Sequence, residues 1–223
     1  VSTTDTRALA ARCARILHAM GFVHAFGHVS VRTGDGTVWI TPTFTSLATV
    51  QAADLVDARD PAAPRRPLET PMHLALYDAR PDVGAICRVH SPALSILAAA
   101  RRTPALLHGF GGIADPVALW PDPDLIADPD TARAVAAALG TDSVGLLLAG
   151  NGGLAVGADL PEAMARIWSL EDRCRIDLAL AGIPAAPIDR DAELPRRRRW
   201  YAAETARLWA WIDATHPEPK EEP

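Results

Sequence analysis

The sequence predicts a single α/β domain with a largely antiparallel central sheet flanked by helices. Three observations predict it. The chain has 223 residues, of which 49% are hydrophobic and 22% charged, enough apolar matter for one large core and too little charge for a disordered chain. Helical and strand-like apolar periods alternate along it. Turn signals of the hairpin kind interrupt that alternation, so neighbouring strands should run antiparallel rather than be joined by crossovers.

Residues 4–20 form an amphipathic helical pattern, with Leu9, Cys13, Ile16, Leu17 and Met20 on one face. His28 to Arg32 reads as a strand, and Val38 to Thr41 as its return. The turn between them contains Asp35-Gly36, which supplies the positive-φ positions a hairpin needs. The Pro/Arg-rich stretch 57–68 should be a surface loop. Thr70-Pro71 then opens a helix to about Ala79, with Thr70 as N-cap and Pro71 in the first turn. Gly84 to Val89 is an apolar strand. Ser91-Pro92 repeats the cap signal before a helix over 93–101. Short strand and loop fill 104–119, and a helix covers 131–139. Strands at 144–148 and 154–156 surround a Gly-Asn-Gly-Gly turn. Asp159-Leu-Pro-Glu162 resembles a capping box and opens a helix to about Leu180, and a last helix covers 194–212. The domain should span 1–215, with 216–223 a frayed Pro/Glu/Lys-rich tail.

The net charge of −5 argues against a nucleic-acid partner, whose phosphates call for a basic surface. The one basic run, Arg196–Arg199, reads as a solvated helix start beside Asp189, Asp191 and Glu193. Cys13, Cys87 and Cys174 are odd in number and widely spaced. That fits a reducing cytoplasm rather than a disulfide framework. No segment reaches the roughly 18 apolar residues of a membrane span, and the first residues show no secretory leader.

Two places look chemical. In each, polar side chains sit where the chain enters a helix, whose leading N–H groups favour anions. One is Glu69, before the Thr70-Pro71 helix. The other is Arg88 with His90, which share a face at the end of an apolar strand while Cys87 and Val89 take the other. Taken alone, His90 reads as readily as a hydrogen-bonded core histidine, and Glu69 as a carboxylate stabilised by the helix dipole.

The segment Glu69-Thr-Pro-Met-His-Leu-Ala-Leu-Tyr-Asp-Ala-Arg-Pro-Asp-Val-Gly-Ala-Ile-Cys-Arg-Val-His-Ser-Pro92 resembles the central motif of the class II aldolase/adducin family. Gly27-His-Val-Ser-Val-Arg32, Val38-Trp-Ile-Thr-Pro42 and Leu146-Leu-Leu-Ala-Gly-Asn-Gly-Gly-Leu-Ala-Val-Gly157 line up with it in order. Leu107-His-Gly-Phe-Gly111 resembles the branch that contains decarboxylases of hydroxylated acids. The likeness covers residues 5–180. It implies the family's three-layer fold, a homotetramer with active sites between subunits, and Glu69 as acid/base.

The departures from that pattern are informative. The family holds a divalent metal on three histidines, and those positions here carry Arg88, His90 and Asn151. A guanidinium has no lone pair for a metal, and an amide oxygen is a poor zinc ligand. The phosphate-binding positions of the family's sugar-phosphate aldolases hold His28, Thr43-Phe44 and Pro67-Leu68. Gly is replaced by Phe44, and Pro67 has no N–H to donate.

These substitutions predict a small-molecule enzyme that needs no metal and handles an unphosphorylated acid or carbonyl compound through an enolate-like anion. The reaction class stays open among lyase, decarboxylase, isomerase and cyclase chemistry. Glu69, Arg88, His90 and Asn151 would be catalytic; His28, Thr43, Phe44, Leu68 and His108 would meet the substrate, His108 by reaching a neighbouring subunit's site. The alternatives are a zinc- or manganese-type lyase with unusual ligands, among them His90 and Asn151, and a non-catalytic adducin-like binding domain.

Overall fold

The computed structural model describes residues 3–217, so nearly all of the expected tail lies outside the described residues. Seven strands form one sheet: β1 His28–Arg32, β2 Val38–Ile40, β3 Val56–Asp57, β4 Ala85–Val89, β5 Val117–Trp120, β6 Gly145–Leu148 and β7 Gly153–Gly157. Their spatial order is β3-β2-β1-β4-β7-β6-β5. Every neighbouring pair is antiparallel except β5 with β6. The prediction of a largely antiparallel sheet holds.

The helices are α1 Thr3–Ala19, α2 Thr70–Ala79, α3 Pro92–Ala99, α4 Pro129–Leu139, α5 Leu160–Ala179, α6 Leu194–Arg198 and α7 Tyr201–Thr215. They make a three-layer molecule. Ala85, Cys87 and Val89 of β4 point into a core shared with Leu17 of α1, Leu94 of α3 and Ile167 of α5. Ile86, between them in sequence, points into the opposite core with Met72 and Leu76 of α2 and Val135 and Leu139 of α4. The strand's period of two thus separates the layers, and it puts Arg88 on the side of α2. All three cysteines are buried and unpaired.

The helix ends correct several expectations. Thr70 is not the N-cap of α2; Glu69 holds that position, and the Thr70 hydroxyl donates back to the Pro67 carbonyl at 2.6 Å. Ser91 does precede α3, but its hydroxyl makes no capping bond. The cap comes from α5: Glu171 accepts from the N–H groups of Ala93 (3.1 Å) and Leu94 (2.9 Å). Pro92 has no N–H, and Ser95 bonds the Ser91 carbonyl, so the leading donors of α3 are all accounted for. The Asp159 signal behaves as expected, its side chain accepting from Glu162 N at 2.8 Å.

Three elements went unread in the sequence, the first a short 3-10 turn at Ala52–Asp54. Val56–Asp57 forms a two-residue edge strand against β2, where a loop was expected from Asp57 onward. The 3-10 turn Gly109–Ala114 occupies the stretch expected to be strand and loop. The single last helix is in fact two. An i→i+3 bond from Trp200 N to Arg197 O tightens the chain between α6 and α7. The basic run is only partly solvated: Arg197 pairs with Glu204 at 2.6 Å and lies over Phe110, and Arg198 comes within 3.9 Å of Asp115. No described helix is long and apolar enough to cross a membrane.

Candidate active site

The register of β1 on β4 builds the site. His28 lies directly opposite Arg88, and Ser30 opposite Ile86. Paired residues share a sheet face, so His28, Ser30 and Arg88 all face α2. On α2 and its cap, Glu69, His73 and Tyr77 recur every four residues and form one stripe that faces them. A strand of alternating polar positions thereby meets a helix with a four-residue polar repeat.

At the centre is a buried ion pair. The Arg88 side chain is 1% exposed and that of Glu69 6%; Nε stands 3.2 Å from Oε2, and Nη2 donates to Oε1 at 3.4 Å. The Nε contact is close but poorly aligned for a hydrogen bond. Nη1 donates to the Val89 carbonyl at 2.8 Å. Burial works against the charge on Arg88, and the Glu69 carboxylate offsets that. His28 Nδ1 lies 3.9 Å from Glu69 Oε2, yet this is not an ion pair. Burial, with His73, Arg88 and His90 nearby, holds His28 well below the ordinary histidine pKa, so the ring is neutral.

His90 follows β4 and is half-buried. Burial and then Arg88 lower its pKa to about 4, and its ring meets Phe26 edge-on at 6.1 Å. The β4–β7 register sets the turn Gly150–Gly152 against it. A Cβ at Gly152 would stand 2.3 Å from the Val89 carbonyl and 3.1 Å from both Arg88 Nη1 and His90 Nδ1, and its φ is +71°. Only glycine allows this approach; Asn151, half-buried, precedes it in the turn.

Glu69, Arg88, His90 and His28 are therefore brought together, and Asn151 lies in the turn that abuts them through Gly152. Leu68 sits at the rim, adjoining Glu69 and largely exposed. Thr43 donates through N and Oγ1 to the Arg65 carbonyl. Phe44 is 99% exposed at φ +58°, so in a single chain its ring fills no pocket. His108 lies elsewhere, 3.6 Å from Asp172 of α5, and no contact among the described residues joins it to Glu69 or Arg88. A groove of about 960 Å³ between α2 and α4 shares only Leu68 with the predicted residues, and the ionisable cluster lies outside it.

Ser30, His73 and Tyr77 were not singled out as site residues. All three are buried behind the ion pair, and the Glu69-His73-Tyr77 spacing is the signal that could have found the two on α2. Burial pushes His73 from 6.5 down to about 3. A histidine kept neutral by the fold contributes stability that is complete above its unfolded pKa near 6.5. That stability drains away as pH falls toward the folded value. The expected slope is about 1.4 kcal/mol per pH unit for this residue between about pH 6 and pH 4. His73→Gln should flatten the decline in urea-unfolding stability by that amount; parallel curves for the two proteins would rule the assignment out.

The donor set does not fit the divalent metal that the fold family implies. Among the described residues, no three His, Cys, Asp or Glu side chains converge so as to hold one. An ion held by His90 would also meet the guanidinium of Arg88, whose charge already disfavours a proton on that imidazole.

Comparison with known proteins agrees with this architecture. Residues 8–178 match the family model for the class II aldolase and adducin N-terminal domain. A methylthioribulose-1-phosphate dehydratase from Parvibaculum lavamentivorans is 31% identical over 71% of this chain and 85% of its own. A 3,4-dihydroxyphthalate decarboxylase from a Terrabacter species is 30% identical over 84% of this chain and 86% of its own. The L-fuculose 1-phosphate aldolase from Glaciozyma antarctica PI12 superposes with a TM-score of 0.76 at 22% identity, covering 95% of this chain and 90% of that one, and so shares the fold. The chain is a lyase-type enzyme and belongs to the class II aldolase and adducin N-terminal domain family.

Proposed function

We propose that this enzyme works without a metal, on an unphosphorylated organic acid or carbonyl compound, through an enolate-like anion. The observation that carries the reading is the buried Arg88 guanidinium, paired with Glu69 on the strand where the family places an imidazole ligand. A guanidinium is a permanent cation with five N–H donors. Nη1 and Nη2 each have one N–H engaged, by the Val89 carbonyl and by Glu69, which leaves one on each for an incoming oxyanion. In the proposed reaction Arg88 stabilises the developing anion, and Asn151 adds a hydrogen bond. Glu69 or the neutral His90 moves the proton.

An aromatic acid is the substrate class that this reading favours. Phe26, edge-on to His90, and Leu68, next to Glu69, offer exposed apolar surface near the site, and one relative is named for decarboxylating 3,4-dihydroxyphthalate. Phe44, Leu68 and His28 would then line the substrate, with His108 reaching it from another subunit of a homotetramer. A second reading, a metal-dependent lyase, draws on the same family membership.

Elemental analysis of purified protein, with CO2 release from dihydroxylated aromatic acids as the assay, separates the two. The expected result is less than about one-tenth of an ion per chain and turnover unchanged by EDTA, since a guanidinium charge cannot be chelated away. One ion per chain, removed by EDTA together with activity, would overturn the proposal.

A further inference from the structure

Behind the ion pair, Tyr77, Ser30 and His73 form a closed polar chain. The Tyr77 hydroxyl is 2.9 Å from Ser30 Oγ, and Ser30 Oγ is 2.8 Å from His73 Nδ1. All three residues are at most 1% exposed. The chain's protons can be counted. Among the described residues Ser30 is the hydrogen-bond partner of the Tyr77 hydroxyl, and burial raises the phenol's pKa, so Tyr77 keeps its proton.

If Tyr77 donates to Ser30, Ser30 donates to His73 Nδ1, and the imidazole proton sits on Nε2. The reverse polarity would strand the Tyr77 O–H with no acceptor and leave the Nε2 lone pair unmet as well. The first arrangement leaves a single unmet group, the Nε2–H, and His73 Nε2 is indeed buried without a protein partner. The His73 ring meets that of His28 edge-to-face, with centroids 5.8 Å apart and planes at 70°. His28 Nδ1 is also buried and unpartnered, and it faces Glu69.

We propose that Tyr77 and Ser30 are positioning residues that lock His73 into its Nε2–H tautomer, and that His73 in turn fixes the neutral His28 ring beside Glu69. Two consequences follow for the site. The imidazoles act as oriented dipoles rather than as charges, and Glu69 is left with Arg88 as its cationic neighbour. The assignment deepens the reading of Glu69 as a proton-moving group and rests on it for its role in turnover, but not for the polarity of the chain.

Long-range ¹H–¹⁵N correlation spectra of the ¹⁵N-labelled full chain at neutral pH read the tautomer directly, with His73→Gln providing the assignment. The expected result is a single Nε2–H form for His73. Ser30→Ala should convert it to a tautomer mixture and shift the ring signals of His28 while leaving those of His90 in place. Tyr77→Phe removes one oxygen only and should give the same change in smaller measure; it carries the test if Ser30→Ala does not fold. An Nδ1–H or mixed His73 in the unaltered protein would overturn the proposal, as would His28 signals that stay put in the variants. No substrate or metal enters the measurement. Its failure would leave the metal-free lyase reading standing, and a metal-dependent reaction would leave the tautomer assignment standing.

Discussion

Arg88→Ala is expected to lower the unfolding free energy by about 3–5 kcal/mol, because it leaves the Glu69 carboxylate buried and unpaired. Most of that cost is the penalty of the orphaned charge rather than the worth of the pair. Adding Glu69→Gln to the same protein should therefore recover a large part of it, and a double-mutant cycle by urea denaturation should show coupling above about 1 kcal/mol. Additive single effects would mean that the pair is not a unit. Turnover should fall by a factor on the order of 10²–10³, the loss that follows removal of an anion-stabilising donor. A folded Arg88→Ala protein that keeps its activity would count decisively against the proposed chemistry.

Asp115→Ala should be comparably damaging, for a reason remote from the site. The Asp115 carboxylate is fully buried, 2.9 Å from Arg173 Nη1 and 2.6 Å from Arg190 Nη1, with Arg198 at 3.9 Å. The Arg173 side chain is 1% exposed and keeps only backbone carbonyl acceptors, including those of Pro104 and Ala105, once the carboxylate is gone. The expected cost is again about 3–5 kcal/mol. Because Arg190 and Arg198 lie in the segment leading into α7, that segment should loosen as well, and trypsin should cut faster at Arg196–Arg199. Arg190→Gln is the control: its side chain is half-exposed, so it should cost under about 1 kcal/mol. Equal losses from the two substitutions would refute the account.

Much of this molecule was legible in its sequence, for reasons that vary from element to element. β1 was read to the residue because its apolar alternation is bounded by glycine on one side and the Asp35-Gly36 turn on the other. β3 was not, since two residues cannot display a period of two. Ser91 carried the right signal for a helix start but the wrong acceptor: the capping carboxylate comes from residue 171, a tertiary contact that local chemistry cannot foretell. The gathering of Glu69, Arg88, His90 and His28 was predicted from the family motif, and the sheet register explains the pairing of His28 with Arg88. Ser30, His73 and Tyr77 were not read as a unit, His73 passing for a packing or surface residue, because each alone is an ordinary core residue. They become a unit only when a strand's alternation is laid against a helix's four-residue spacing.

Glu171 has a wider implication. By satisfying the first amides of α3, it occupies main-chain donors close to His90 that an anion could otherwise have met. Under the proposed function, recognition of such a ligand would then fall to side chains, Arg88 and His90 among them. A backbone amide is present whatever the codon, whereas a guanidinium or an amide side chain is one nucleotide change from something else. The pocket's ligand preference should for that reason be open to stepwise evolutionary change while the scaffold beneath it stays the same.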